Sequence, residues 1–182
     1  LFREDAAHWV DLLRQGRVVA ALSSDPTPVQ GHTAVPLGTI RYLPLATPGY
    51  VERHLPEGPT AEAMAVAPVI AFDRKDLLQY AYLARLLETD LRPPTTFVPA
   101  NREFEEAVLL GLGWGLVPEG RMHDQIESGE LVRIAPGYRD VPLVWHRPRI
   151  ESALLDLLGE RLAAVAREVV RPAAVWENDR LS

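Results

Sequence analysis

At 182 residues the chain can bury a substantial core, as one domain or as two small lobes. Apolar residues make up 47% and charged residues 24%, ordinary usage for a soluble globular fold, which argues against disorder except at the ends. The formal net charge of -6 excludes the chain itself as a grip on nucleic acid, because such grips rest on Lys and Arg displacing counterions. The absence of cysteine excludes disulfides, thiolate catalysis and Cys-based zinc sites, and fits a reducing compartment such as the cytoplasm.

In chain order, Trp9, Leu12 and Leu13 recur at helical spacing, and Gly16 follows where a left-handed C-cap sits. The continuous apolar run Val18 to Leu22 predicts a fully buried strand of a parallel sheet. Ser23 to Gly31, with two prolines and a glycine, is the loop that leaves its carboxyl end. A second β-like stretch covers 34 to 47 and is stopped by Pro48-Gly49, and 50 to 54 forms a short helical turn. The longest apolar run, Ala61 to Phe72, is broken by Glu62 and Pro68 and is too short to span a bilayer, and nothing resembles a signal peptide.

Val69 to Phe72 reads as a buried strand, 77 to 87 as a helix closed by Pro93-Pro94, and 95 to 98 as a short strand. Asn101 is the expected N-cap of a helix over 102 to 110. Gly111, Gly113 and Gly115 lead tightly into the strand Leu116 to Pro118. Met122 and Ile126 mark a short helix that Gly129 ends, and 131 to 134 and 141 to 145 are strands. The stretch 151 to 170 places Leu155, Leu158, Leu162, Val165 and Val169 on one stripe of a long amphipathic helix. This alternation predicts α/β lobes with largely parallel sheets. No internal repeat is visible, and a tail beyond Arg171-Pro172 is expected to fray.

Several residues could carry chemistry, and each has a plainer role beside it. Ser23, Ser24 and Asp25 follow a strand's carboxyl end, where open α/β sheets bind ligands; the alternative is a self-satisfied turn. Asp73 and Asp76 follow a buried strand and would suit an ammonium or guanidinium group. The plainer readings make Asp76 a helix cap and pair Asp73 with Arg74 or Lys75. Asn101 heads a helix whose free N–H groups and dipole suit a carboxylate. Trp145 and His146 could line a cleft, although a tryptophan ending an apolar strand is more often core. No G-x-S-x-G elbow, no H-x-H or H-E-x-x-H spacing and no dinucleotide fingerprint is present, so catalysis, metal and cofactor are not expected.

Six segments together resemble a known family: Arg14 to Leu22, Pro36 to Tyr42, Ala46 to Tyr50, Pro68 to Asp73, Ser128 to Leu131 and Trp145-His-Arg147. They are similar to the effector-binding domain of LysR-type transcriptional regulators, over about residues 1 to 170. Phe72-Asp73 with Asp76 three residues on, and the Trp-His-Arg run, resemble the branch that senses lysine and arginine and controls a basic amino-acid exporter.

The resemblance implies a periplasmic-binding-protein-like fold, two Rossmann-like α/β lobes joined by two crossing strands with the effector between them. Residues 1 to 68 and 146 to 170 would form the first lobe, 69 to 145 the second and 171 to 182 a tail, with crossings near Pro68-Val69 and Val144-Trp145. It carries effector contacts onto Ser23, Ser24, Thr47, Asn101 and Arg102, while Asp73 is chosen here by charge complementarity to a basic side chain. The family also has a winged helix-turn-helix, a linker helix and a first strand and helix of the lobe that have no counterpart in these residues. With Leu1 in place of an initiator Met, the sequence is expected to be a piece of a longer regulator, its first lobe truncated.

The expected function is therefore sensing of a basic amino acid in a bacterial transcription regulator, without catalysis or cofactor. Homodimers and tetramers, DNA held through the missing domain, RNA polymerase and no membrane are the partners implied. A solute-binding protein of the same fold serving transport is the rival, and a small hydrolase using Ser23 or Ser24 a remoter one.

Overall fold

The computed structural model describes residues 9–172. In chain order the elements are α1 (Trp9–Arg14), β1 (Ala21–Ser23), β2 (His32–Ala46), α2 (Pro48–His54), α3 (Ala61–Val66), β3 (Val69–Ala71), α4 (Leu78–Leu87), β4 (Thr95–Phe97), α5 (Asn101–Leu109), β5 (Gly115–Pro118), α6 (His123–Glu127), β6 (Val132–Arg133), β7 (Arg139–Pro148) and α7 (Ala153–Val169). The chain divides into two compact units, one taking residues up to Ile40 and from Asp140 on, the other Arg41–Arg139.

Two strands, β2 and β7, carry the chain across that division, so the first crossing falls near residue 40 rather than at Pro68-Val69. The second falls at the start of β7 rather than near Val144-Trp145. The packing explains the shift. Ala46, Tyr50, Leu55, Met64 and Ala67 are buried with Val69, Tyr82, Leu83 and Trp114 in one cluster, so residues 41 to 68 share a core with the second unit. The α3 helix in this segment was not foreseen; Thr60 caps it by accepting the Ala63 N–H at 3.2 Å.

In the first unit, Gly16 takes a left-handed conformation (φ +66°) and closes α1 as expected. The following run is not a buried parallel strand. Only Ala21–Ser23 is extended, it pairs antiparallel with β7 (Leu22 opposite Trp145), and Val19 and Leu22 stay 59% and 46% exposed. It is an edge strand, flanked by β7 on one side in the order β1-β7-β2-β5. Trp9, Leu13 and Val29 form the small core beneath it.

The α7 helix starts at Ser152, whose hydroxyl accepts the Leu155 N–H at 3.4 Å. Its inward stripe is Leu155, Gly159, Leu162 and Ala166, and Leu158, Val165 and Val169 point outward, contrary to expectation. At Gly159 the helix lies against Trp145, where an added Cβ would meet Trp145 Nε1 at 3.4 Å, an ordinary van der Waals contact. The tail from residue 173 on lies outside the described residues.

In the second unit β3 and β4 are parallel, with Ala71 opposite Phe97, and β5 runs the same way through a single parallel bridge between Val69 and Trp114. The remaining pairs, β2 with β5 and β2 with β6, are antiparallel, so the sheets are less parallel than the alternation suggested. A second cluster containing Leu43, Leu45, Ile70, Phe104, Val108, Val117 and Leu131 completes the core of this unit.

Candidate functional site

Strand direction determines which residues each unit presents together. In the second unit β3, β4 and β5 run alike, and their carboxyl ends deliver Asp73, Asn101 and Pro118 to one edge. Because β2 runs opposite to β5, with Tyr42 facing Pro118 and Leu45 facing Gly115, Tyr42 lies at that same edge. Thr47 lies at the other end, where its Oγ1 accepts the Tyr50 N–H at 3.2 Å and caps α2. The structure therefore groups Asp73, Asn101 and Arg102 and leaves Thr47 apart from them.

At the grouped edge, Asp73 Oδ1 accepts the Lys75 and Asp76 N–H groups at 2.7 and 3.0 Å, which closes a local turn. Asp76 accepts the Phe72 and Leu78 N–H groups, both at 3.0 Å, so it ties β3 to the start of α4. Asn101 is the first residue of α5 and not its cap; the cap position is Ala100, whose side chain offers no hydrogen bond, and both Asn101 and Arg102 are exposed. The first N–H groups of α5 thus have no side-chain cap from this position.

Sequence reasoning missed three further groups here. Glu105, one turn into α5, is buried and forms a bidentate pair with Arg121, through Nε and, at 2.9 Å, through Nη2. Tyr42 is held above its usual phenol pKa by burial first and by the nearby Asp76 carboxylate second, with Arg121 pulling the other way and Glu105 adding to the rise. Residues so far apart in the chain, drawn from β2, α5 and the turn after β5, leave no spacing signal.

In the first unit the loop after β1 is anchored by His146, which is fully buried on β7. Its Nε2 lies 3.0 Å from Ser23 Oγ and 2.9 Å from the Asp25 carbonyl oxygen. Ser23 Oγ also accepts the Asp25 N–H and donates to the Asp25 carbonyl, each at 3.1 Å. Trp9 packs on the imidazole with ring centroids 4.4 Å apart. Burial holds the imidazole below its usual pKa, against the Asp25 carbonyl bond and carboxylate, which favour the charged form; His32 lowers it further.

A serine hydroxyl 3.0 Å from an imidazole has the spacing of a nucleophile and its base. The Asp25 carbonyl can only accept, so Nε2 carries the hydrogen and is a donor in this arrangement, the wrong state for taking a proton from Ser23. Ser24 is exposed. Trp145, neighbour of His146, is buried against α7 and belongs to the core. The adjoining Arg147 pairs with Asp156 on α7. Among the described residues no group of three or more His, Asp or Glu side chains could hold a metal ion, and no helix is long and apolar enough to cross a membrane.

The profile of the family described as LysR substrate binding domain matches residues 1–167. The chain belongs to this family. Curated relatives include a regulator named LysG from Mycobacterium tuberculosis, 36% identical over 168 residues (92% of this chain, 55% of the relative). Another is a regulator named ArgP from Pseudomonas fluorescens, 38% identical over 177 residues (97% and 57%). The chain thus spans a little over half the length of the relatives it matches.

Solved structures agree. ArgP from Mycobacterium tuberculosis superposes with a TM-score of 0.90 at 36% identity, covering 94% of this chain and 59% of that one. Full-length LysG from Corynebacterium glutamicum with bound effector Arg superposes at 0.84 with 35% identity, covering 94% and 58%. The α/β fold expected from the sequence, of periplasmic-binding-protein type, is the fold of these regulatory domains.

Proposed function

We propose that the chain is the effector-sensing part of a LysR-type transcription regulator and that its effector is a basic amino acid, lysine or arginine, bound without catalysis. The observation that carries this reading is the likeness, at 35% identity over 94% of the chain, to a regulator solved with arginine bound. Each unit offers suitable groups: the Ser23 and Ser24 hydroxyls in the first, and in the second the start of α5 with Asn101 and Arg102 for a carboxylate and Asp73 for a cation. Trp145 and Thr47 act at a distance, Trp145 by fixing the strand under His146 and Thr47 by capping α2.

In this reading DNA contact belongs to the winged helix-turn-helix that the family carries ahead of this domain. The regulator works in the cytoplasm as a homodimer or tetramer, and RNA polymerase receives its output at the promoter of an amino-acid exporter gene. Effector acts by binding one regulator state more tightly than another.

A thermal-shift panel of the twenty amino acids tests the effector class. At a hundred times Kd a ligand adds about 2.7 kcal/mol, and at about 2–4 °C per kcal/mol that is an upshift of roughly 5–11 °C. The upshift is expected with arginine or lysine alone. No shift with any amino acid, in this chain or in one extended to its relatives' length, or an equal shift with neutral ones, overturns the proposal.

A further inference from the structure

We infer that His146 is the positioning residue of the Ser23–Asp25 loop, fixing the Ser23 hydroxyl as a pure hydrogen-bond donor for the carboxylate of an amino-acid effector. The inference rests on the proposed effector class and adds a residue and a proton state to it.

The Asp25 carbonyl, 2.9 Å from Nε2, is an acceptor only, so Nε2 carries the hydrogen. That N–H also reaches Ser23 Oγ at 3.0 Å, and the Asp25 N–H reaches the same oxygen at 3.1 Å. Two N–H donors occupy both lone pairs of the hydroxyl, which leaves it nothing to do but donate. Without ligand its hydrogen rests on the Asp25 carbonyl at 3.1 Å. When it swings to an effector oxygen, that carbonyl keeps the His146 N–H, so no buried acceptor is left bare. A hydroxyl committed to donating suits a carboxylate and rejects an ammonium group.

The arrangement requires a neutral imidazole. Nδ1 is buried and without a hydrogen-bond partner among the described residues, with the Trp9 ring of α1 packed on the imidazole. A second proton would sit there unpaired. The titratable groups acting on the ring are Asp25 in the loop, whose carboxylate accepts the Thr27 N–H, and His32 at the start of β2. Acidification therefore favours release of the loop, where the imidazolium can be hydrated.

The test uses arginine titrations of the wild type, His146→Phe, His146→Gln, Ser23→Ala and the Ser23→Ala/His146→Phe double variant, together with imidazole ¹⁵N spectra of the wild type. Removing the donor in His146→Phe should weaken arginine on the order of tenfold, as expected for unpairing a buried polar group. Glutamine, whose amide N–H stands in for Nε2–H, should restore affinity to within about threefold. The double variant should bind no worse than Ser23→Ala alone, since His146 acts through that hydroxyl.

As pH falls through the folded imidazole's lowered pKa, wild-type affinity should fall relative to His146→Gln by up to about tenfold per pH unit. Additive losses, a glutamine variant as weak as the phenylalanine one, or parallel pH profiles overturn the inference. The spectra decide it without any ligand: Nε2–H with bare Nδ1 supports it and an Nδ1–H tautomer ends it, even if His146→Phe does not fold. Absence of arginine binding to the wild type refutes the proposed effector instead.

Discussion

Replacing Arg121 with Met would strand a charge, and the burial asymmetry of its ion pair sets the cost. The Glu105 side chain is only 10% exposed, whereas that of Arg121 is 53% exposed. Removing one member of a fully buried pair costs about 3–5 kcal/mol, and an exposed pair is worth about 0–1. With one partner buried and the other half in water, the loss should fall between these limits, at about 2 kcal/mol. At about 2–4 °C per kcal/mol that is a drop in Tm of roughly 4–8 °C.

Glu105→Gln should cost about 1 kcal/mol or less, because an amide oxygen still accepts from the guanidinium. The double variant Glu105→Gln/Arg121→Met should recover most of the Arg121→Met loss, since no charge is then left alone. Thermal and urea unfolding followed by circular dichroism measure all four proteins. A Tm for Arg121→Met within about 1 °C of the wild type, or a double variant worse than either single, would refute the reasoning.

Three further outcomes follow from other parts of the molecule. Asp73→Asn keeps an oxygen for the Lys75 and Asp76 N–H groups but loses the charge; arginine should weaken about tenfold and citrulline less than about threefold, and equal losses in titration would remove Asp73 from the cation's site. Gly113→Ala would place a Cβ 2.9 Å from Ile70 Cδ1 and 3.0 Å from the Pro68 carbonyl. Its Tm should fall by about 2–12 °C for an overpacking cost of about 1–3 kcal/mol, and an unchanged Tm would contradict the close approach of the β5 lead-in to β3.

His146 is held below its usual pKa by burial, so above pH 6.5 neither the folded nor the unfolded chain protonates it and its contribution is complete. As pH falls below 6.5 the unfolded chain takes the proton first, and stability is lost at up to about 1.4 kcal/mol per pH unit until the folded value is reached. Urea titrations at stepped pH should show the wild type losing stability faster than His146→Gln, and parallel curves would contradict the burial argument.

The sequence showed most elements because periodicity and punctuation are local: Gly16, Pro48, Pro93-Pro94 and Gly129 mark ends that the structure keeps. What it hid depends on neighbours. Val18 to Leu22 is apolar enough for a central strand, but only the partners of a strand decide whether it lies inside a sheet or at its edge. The family resemblance carries Thr47 into one site with Asn101, yet β2 runs antiparallel to β5 and delivers it to the opposite end. Strand direction is not written in the strand's own residues. The outward turn of Val165 and Val169 likewise depends on which face of α7 meets its neighbours, Leu155 and Ala166 being the residues it buries. Ser23 and His146, 123 positions apart, meet only through pairing of β1 with β7.

Isothermal titration of arginine and lysine, each paired with a neutral analogue of the same length, citrulline and 6-hydroxynorleucine, tests the effector claim most directly. Saturable heat with at least one basic amino acid, and binding at least about tenfold weaker for its neutral partner, is the outcome this account predicts. Equal binding of charged and neutral members, or no saturation with either basic amino acid in a chain extended to the full length of its relatives, would contradict it.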